Sequence, residues 1–249
     1  MTFCLGIHVN DGLIGIADTR VLTGQEFLTV RKYSVYQGPG YAFFTMTSGL
    51  RSVRDKTLAY FDEIMSDPEI KLDRLYKAVN IIAEQMRRVS SEDKPSLEEA
   101  GLKFNFHALI GGQMADDPAP RLFLVYPEGN WVQIQPGSPY QIIGATGYGK
   151  PILARALRYQ DDMQYAFKVG VLAFDSTRLS AADVGFPIDV LLYQNNSFRI
   201  VEHRYEQADL QQISKWWQAR LRKSVDVLPS KWVQRAFAKL VTKDSPPEE

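Results

Sequence analysis

The sequence is poor in the residues that most often build metal centres and covalent cross-links. Its one cysteine, Cys4, cannot close an intramolecular disulfide. Its three histidines, His8, His107 and His203, lie far apart, and no two have the spacing of neighbours on a helix. A histidine-built zinc or iron centre is therefore not expected. We predict a protein whose activity requires no metal and no other cofactor.

Neither sign of charge is in excess, and long apolar runs are missing. The 29 basic residues balance 29 acidic ones, whereas a groove for a phosphate backbone needs a basic excess, so no nucleic-acid partner is expected. No stretch approaches the roughly 18 apolar residues of a membrane helix. Asp11 and Asp18 interrupt the N-terminal region too early for a signal peptide. We expect a cytoplasmic protein without a membrane partner.

The composition is that of a globular protein. Of 249 residues, 45% are hydrophobic and 23% are charged, which excludes disorder over most of the chain. A chain of this length buries roughly three quarters of its unfolded surface and so needs no disulfide or metal to stabilise its core. We predict one main domain over residues 1–222 and a C-terminal extension over residues 223–249, with its last residues disordered.

Strands and helices alternate in blocks along the chain. Residues 3–9 and 13–17, separated by Asn10-Asp11-Gly12, have the alternation and the turn of a β-hairpin. Further strands are predicted at 29–37, 41–47, 105–111, 121–126, 131–135, 140–143, 188–194 and 198–203. Helices are predicted at 151–160, 164–179 and 206–222, besides two helices after residue 48. This order suits two antiparallel sheets stacked face to face with helices outside, an α+β fold.

The two helices after residue 48 differ in the strength of their pattern. Ser48 is the expected N-cap of the first. In the second, apolar residues recur at steps of three and four from Leu72 to Val89, which indicates a helix packed on a flat surface such as a sheet. Ser90–Gly101 is predicted to be a polar connector.

Thr2 is the first candidate for chemistry. Methionine aminopeptidases remove Met1 when a small residue follows, which would leave a free N-terminal threonine. A threonine hydroxyl is a weak nucleophile, but an N-terminal threonine carries its own base, an α-amine with a reference pKa of about 7.7–8.0. A strand that begins at the next residue would hold this residue in a sheet. An ordinary Met-Thr start without any catalytic role is the alternative.

Asp18 and Lys32 could complete a site around Thr2. In the predicted hairpin, paired residue numbers sum to about 20–21, so Asp18 would lie near Thr2. A Lys32 ammonium beside the threonine would favour loss of the hydroxyl proton, and Asp18 would orient that ammonium. An ion pair at the surface is the alternative. Arg31 also remains open for this position, although a compact ammonium fits beside a hydroxyl better than a guanidinium.

Seven segments carry motifs in a fixed order: Thr2-Phe3-Cys4-Leu5-Gly6, Ala17-Asp18-Thr19-Arg20, Arg31-Lys32, Thr47-Ser48-Gly49, Ile143 through Leu153, Asp175-Ser176-Thr177 and Val184 through Asp189. Together they resemble proteasome-type β subunits, and most of all the branch called Anbu, the ancestral β subunit. The resemblance runs from residue 2 to about residue 220. The resemblance implies the four-layer αββα sandwich of the N-terminal nucleophile hydrolases. It also implies a homo-oligomer, a ring or an open helical ring, acting on a peptide or amide substrate.

The resemblance also implies roles for single residues. Thr2 would be the nucleophile, with Asp18 and Lys32 completing the triad, and Gly49 would donate its backbone N–H to the oxyanion. Auxiliary roles near the amine would fall to Thr146 and to Ser180 and Asp183. At the last two positions serine and aspartate stand in the reverse of the family's order.

Functions other than peptide hydrolysis are compatible with parts of the sequence. Gly144 to Lys150 has the spacing of a phosphate-binding loop, but Pro151 stands where a magnesium-binding hydroxyl belongs, which argues against nucleotide binding. The same acyl-enzyme could serve an amidase or an acyl transferase. A non-catalytic assembly subunit would need none of Thr2, Asp18 and Lys32. The sequence does not indicate whether an ATP-dependent unfoldase is a partner.

Overall fold

A computed structural model describes residues 2–23, 26–67, 69–70 and 72–241. Within them lie twelve strands and six helices. The strands are β1 (Phe3–Val9), β2 (Gly12–Asp18), β3 (Arg20–Thr23), β4 (Glu26–Thr29), β5 (Tyr33–Gly38), β6 (Tyr41–Gly49), β7 (Phe106–Met114), β8 (Arg121–Val125), β9 (Trp131–Gln133), β10 (Tyr140–Gly144), β11 (Ile188–Gln194) and β12 (Ile200–Tyr205). The helices are α1 (Arg51–Met65), α2 (Leu75–Glu99), α3 (Lys150–Ala156), α4 (Met163–Arg178), α5 (Gln207–Asp226) and α6 (Lys231–Val241).

The first sheet contains the predicted N-terminal hairpin. Its five antiparallel strands follow the order β10-β1-β2-β11-β12. Cys4 pairs with Ala17 and Leu5 with Ile16, so the predicted hairpin and its register are confirmed. Every residue of β1 and β2 is buried. Because β1 pairs on both edges, the residues that directly follow Thr2 are fixed where the site is predicted.

The second sheet has the order β5-β6-β7-β8-β9 and is also antiparallel. Helices α1 and α2 pack on it and share a buried cluster with it. The buried face of α2 contains Leu75, Val79, Ile82, Met86 and Val89. The predicted apolar stripe is therefore confirmed over most of its length, since a helix on a sheet buries one stripe of its surface.

The two sheets share a second buried cluster. It includes Cys4 and Leu13 of the first sheet together with Phe44, Leu109 and Leu122 of the second. On its other side the first sheet contacts α4. The predicted mixed fold of antiparallel sheets and helices is confirmed.

Three local predictions were wrong. The predicted strand at 29–37 begins only at Tyr33, as β5, while residues 20–23 and 26–29 pair as an additional two-stranded sheet, β3–β4. Ser48 belongs to β6, and the N-cap of α1 is Leu50, which has no side-chain cap. The predicted connector at 90–101 is largely the solvent-facing continuation of α2, through Pro95. Polar composition indicated a loop there, but ion pairs from Lys56 to Glu92 and Asp93 bind this part of α2 to α1.

The chain divides into two compact units, Met1–Asp209 and Leu210–Glu249. The first contains both five-stranded sheets and the candidate site, and the second contains most of α5 and all of α6. The last five residues, which were predicted to be disordered, lie within residues 242–249, outside the described residues. None of the described helices is long and apolar enough to cross a membrane.

The N-terminus of α2 is capped by a residue distant in sequence. Asp117 is buried, and its Oδ2 accepts hydrogen bonds from the backbone N–H of Leu75, at 2.8 Å, and of Met114, at 3.0 Å. The N-cap residue itself, Arg74, makes no side-chain cap. One carboxylate therefore satisfies a free N–H of the helix and fixes the turn after β7.

Replacing Asp117 by alanine should destabilise the fold. Asp117→Ala leaves two buried N–H groups without an acceptor, and we expect the free energy of unfolding to fall by about 2–4 kcal/mol. Chemical denaturation followed by circular dichroism measures it. Asp116→Ala, at the exposed neighbouring position, is the matched control and should change little. Equal effects of the two substitutions would contradict the capping role.

Candidate active site

A cleft of about 500 Å³ opens where β1 begins. Thr2, Lys32 and Gly49 all line it. The remaining lining residues come from β3, the end of β6, the start of α1, the segment before β7 and the end of β10: Val21, Leu22, Thr47, Ser48, Leu50, Arg51, Arg54, Lys103, Asn105 and Gly144. Residues distant in sequence thus meet at the predicted nucleophile.

The backbone around Thr2 is held from two sides. Its carbonyl oxygen accepts a hydrogen bond from the N–H of Ala145, at 2.7 Å. The N–H of the next residue, Phe3, donates to Oδ1 of Asp18, at 2.8 Å. Gly144 has a φ of +89°, and a Cβ there would overlap the Thr2 carbonyl oxygen, so this position requires glycine. The main chain of Thr2 is therefore fixed.

Asp18 and Lys32 form a buried ion pair beside Thr2. Nζ of Lys32 donates to Oδ1 of Asp18, at 2.6 Å, and to the carbonyl oxygen of Arg20, at 2.7 Å. The side chain of Asp18 is 0% exposed and that of Lys32 is 3% exposed. Oδ2 of Asp18 also accepts a weak bond, 3.4 Å long, from the N–H of Gly185. Burial raises the pKa of Asp18 above its ordinary value, while the ammonium and the N–H donors act in the opposite direction.

The main chain of Lys32, in the segment before β5, is anchored to the second sheet. The carbonyl oxygen of Lys32 accepts a hydrogen bond from the N–H of Thr47 in β6, at 2.9 Å. Arg31 points elsewhere: its side chain is 61% exposed, lies over the ring of Tyr33 and is 3.7 Å from Glu202. Of the two candidate cations, Lys32 is thus the one paired with Asp18.

Gly49 occupies a position that only glycine tolerates. Its φ is +135°, and a Cβ would overlap the carbonyl oxygen of Asn105.

Arg20 packs its guanidinium against Gly185 and donates from Nη1 to the carbonyl oxygen of Ala182, at 3.3 Å. The guanidinium therefore contacts and supports the loop before β11, in which the N–H of Gly185 donates to Asp18.

The predicted auxiliary residues lie in different surroundings. Thr146 is exposed in the loop after β10, and Ser180 is exposed just after α4. Neither lines the cleft. Asp183 is half-buried, and burial acts to raise its pKa, but hydrogen bonds and neighbouring positive charge, to which Lys32 adds the smallest part, hold the pKa below its ordinary value. Asp183 thus lies within range of the charge on Lys32, but it does not line the cleft either.

The wall of the cleft formed by β3, the start of α1 and the segment before β7 was not predicted from the sequence. Val21 and Leu22 belong to the unpredicted strand β3, and Lys103 precedes β7. Arg51 and Arg54 begin α1 just after Gly49, three residues apart and so on one helix face. That spacing, directly after the predicted oxyanion donor, was the available signal for a basic wall.

Cys4 does not compete as a nucleophile. It is fully buried in β1, its Sγ contacts the carbonyl oxygen of Thr47 at 3.6 Å, and burial raises the pKa of the thiol far above its ordinary value. A buried thiol of this kind stays protonated and inert. Across the described part of the chain, no group of three or more His, Cys, Asp and Glu residues is placed to hold a metal ion.

Similar solved structures carry the name Anbu. A Gly-1 mutant of Anbu from Hyphomicrobium sp. strain MC1 has a TM-score of 0.85 and 29% identity, over 92% of this chain and 98% of that one. Anbu from Yersinia bercovieri gives 0.83 and 29%, over 91% and 97%. The helical assembly of the Anbu complex from Pseudomonas aeruginosa gives 0.85 and 27%, over 99% and 98%. Models of protein families and curated proteins gave no match.

The resemblance to Anbu that the sequence indicated is confirmed by these structures. Because the shared fold covers most of both chains, the similarity extends well beyond the motifs around Thr2.

Breaking the buried pair should cost far more stability than breaking an exposed one. Asp18→Asn leaves a buried ammonium without a counter-charge, and we expect a loss of about 3–5 kcal/mol in the free energy of unfolding. Asp73→Asn, which breaks the exposed pair with Lys77, should change it little. Guanidinium denaturation measures both. The double variant Asp18→Asn/Lys32→Met should recover part of the loss; equal costs for the two single variants would show that the Asp18–Lys32 pair behaves like a surface pair.

Proposed function

We propose that this chain, similar in structure to Anbu, is a threonine-type N-terminal nucleophile hydrolase that cleaves a peptide or amide bond through an acyl-enzyme. The observation that carries the proposal is the fixed backbone of Thr2 beside the buried Asp18–Lys32 pair, in a cleft. A chain with only an assembly role would not need a buried charge pair beside its second residue, since such pairs add little stability by themselves.

Removal of Met1 would make Thr2 both nucleophile and base. Its α-amine, with a reference pKa of about 7.7–8.0, could accept a proton near neutral pH. The hydrogen bonds that hold the Thr2 carbonyl oxygen and the Phe3 N–H involve neither the hydroxyl nor the amine of Thr2. Within the part of the chain that the structure describes, these two bonds leave both groups available for the reaction.

Lys32 would lower the cost of deprotonating the hydroxyl. An ammonium has three N–H donors, and Asp18 and the Arg20 carbonyl take two. Among the described residues the third has no partner, and Lys32 lines the cleft together with Thr2. A donor and a positive charge at this position favour the alkoxide.

The reaction would proceed in two steps. Thr2 Oγ forms a bond to the carbonyl carbon, the amine takes the hydroxyl proton and passes it to the leaving nitrogen, and the C–N bond breaks. Water then attacks the ester, and Thr2 Oγ is released with its proton. The Gly49 N–H would stabilise the oxyanion, a contribution of about 2.7–4 kcal/mol for such a donor. No cofactor takes part.

The remaining features of the proposal concern fold, assembly and location. The contacts of α1 and α2 with one sheet, of α4 with the other, and of the sheets with each other support a four-layer αββα arrangement. The similarity to a helical Anbu assembly supports self-association of this chain into a ring or an open helical ring. We place the protein in the cytoplasm.

A threonine-directed electrophilic probe should label the mature protein at Thr2. Intact mass should show loss of Met1, and Thr2→Ala and Lys32→Ala should each abolish labelling, because one removes the nucleophile and the other its activating charge. Thr2→Ser should retain it, and Cys4→Ala should not affect it. The readout is the mass of the labelled peptide.

Three outcomes would contradict the proposal. Retention of Met1 would leave the amine blocked. Undiminished labelling of the Thr2→Ala variant would show that a residue other than Thr2 is the nucleophile. Transfer of the acyl group to an added amine in preference to water would identify an acyl transferase on the same site.

Self-association predicts a species larger than the monomer. Native mass spectrometry and negative-stain microscopy of the purified full chain should show a homo-oligomer, ring-shaped or helical. A stable monomer across micromolar concentrations would contradict the assembly proposal without affecting the chemistry of Thr2.

A further inference from the structure

The cleft beside Thr2 has a strongly basic wall. Arg51, Arg54 and Lys103 all line it, and none of the described lining residues is aspartate or glutamate. Lys32, the fourth cation, is already neutralised by Asp18. The uncompensated charge therefore lies on the wall and not at the ion pair.

The carboxylate of Asp55 pairs with two of the three cations of this wall. Nε and Nη2 of Arg54 both donate to Oδ1 of Asp55, at 2.8 and 2.6 Å, while Nε of Arg51 is 3.4 Å from Oδ2. Lys103 has no ion pair within the described ranges. Three cations against one carboxylate leave two positive charges beside the cleft.

Arg54 is the best placed of the three to bind an anion. Its side chain is only 16% exposed, whereas that of Asp55 is 52% exposed. The third guanidinium nitrogen of Arg54, Nη1, has no hydrogen-bond partner among the described residues. A partly buried guanidinium with a free N–H group binds a carboxylate through charge-assisted hydrogen bonds, which are stronger than those between neutral groups.

We infer that the site selects substrates with an acidic side chain next to the scissile bond, an inference that rests on the proposed hydrolase function. A substrate with its carbonyl carbon at Thr2 must place neighbouring atoms in the same cleft, whose volume of about 500 Å³ accommodates a side chain. A glutamate or aspartate carboxylate there meets Arg54 and Lys103 and offsets the excess charge. A lysine or arginine side chain meets repulsion.

This selectivity can be tested with blocked fluorogenic tetrapeptide amides. The peptides differ only in the residue that precedes the scissile bond. With the wild-type full chain, the glutamate peptide should exceed the isosteric glutamine peptide in kcat/KM by about tenfold or more, as expected for a charge-assisted contact. Arg54→Gln and Lys103→Gln should each lower this ratio, and raised ionic strength should lower it further. Lys94→Gln, which removes an exposed cation of α2 outside the cleft, should leave the ratio unchanged.

A binding measurement separates this inference from the proposed function. The Thr2→Ala protein lacks the nucleophile, and fluorescence anisotropy should still show the glutamate peptide binding about tenfold more tightly than the glutamine peptide. Selective binding without cleavage by the wild type would overturn the hydrolase proposal alone. Equal binding of the two peptides, preference for leucine or lysine, or no binding of any peptide would overturn the acidic selectivity.

Discussion

The candidate site depends on one carboxylate that joins three parts of the chain. Asp18, at the end of β2, accepts the N–H of Phe3 in β1, the ammonium of Lys32 and the N–H of Gly185 before β11. It is fully buried, so these donors replace the water that it loses on folding. The same interaction that keeps a charge inside the protein also fixes the residue after Thr2 and the cation beside it.

Close backbone approach is the second constraint on the site. At Gly144 and Gly49 a side chain would overlap the carbonyl oxygen of Thr2 or of Asn105, and both φ values lie in the region that favours glycine. The cleft is thus shaped by main chain as much as by side chains. Such a surface holds its N–H groups in place before a substrate arrives, which is what stabilisation of an oxyanion requires.

Local patterns predicted the elements better than they predicted the junctions between them. Alternation from Phe3 and the turn at Asn10-Asp11-Gly12 sufficed for the hairpin, because its register follows from the turn. The approach of Asp18 to Thr2 followed from that register. The pairing of Asp18 with Lys32 and not with Arg31 did not follow from the register, because it depends on which side chain of an irregular segment faces the interior. The spacing of Arg51 and Arg54 indicates only one part of the basic wall. The whole wall could not be predicted from a single segment, because Arg54 and Lys103 meet only through the pairing of β6 with β7, which places the start of α1 next to the segment before β7.

The most direct test of the proposed mechanism is an experimental structure of the mature chain with a peptide electrophile bound. We predict a covalent bond from the ligand carbonyl carbon to Thr2 Oγ, the Lys32 ammonium within hydrogen-bond distance of that oxygen, and the oxyanion on the Gly49 N–H. A ligand bonded to another residue, or Thr2 displaced from the Asp18–Lys32 pair, would contradict the mechanism.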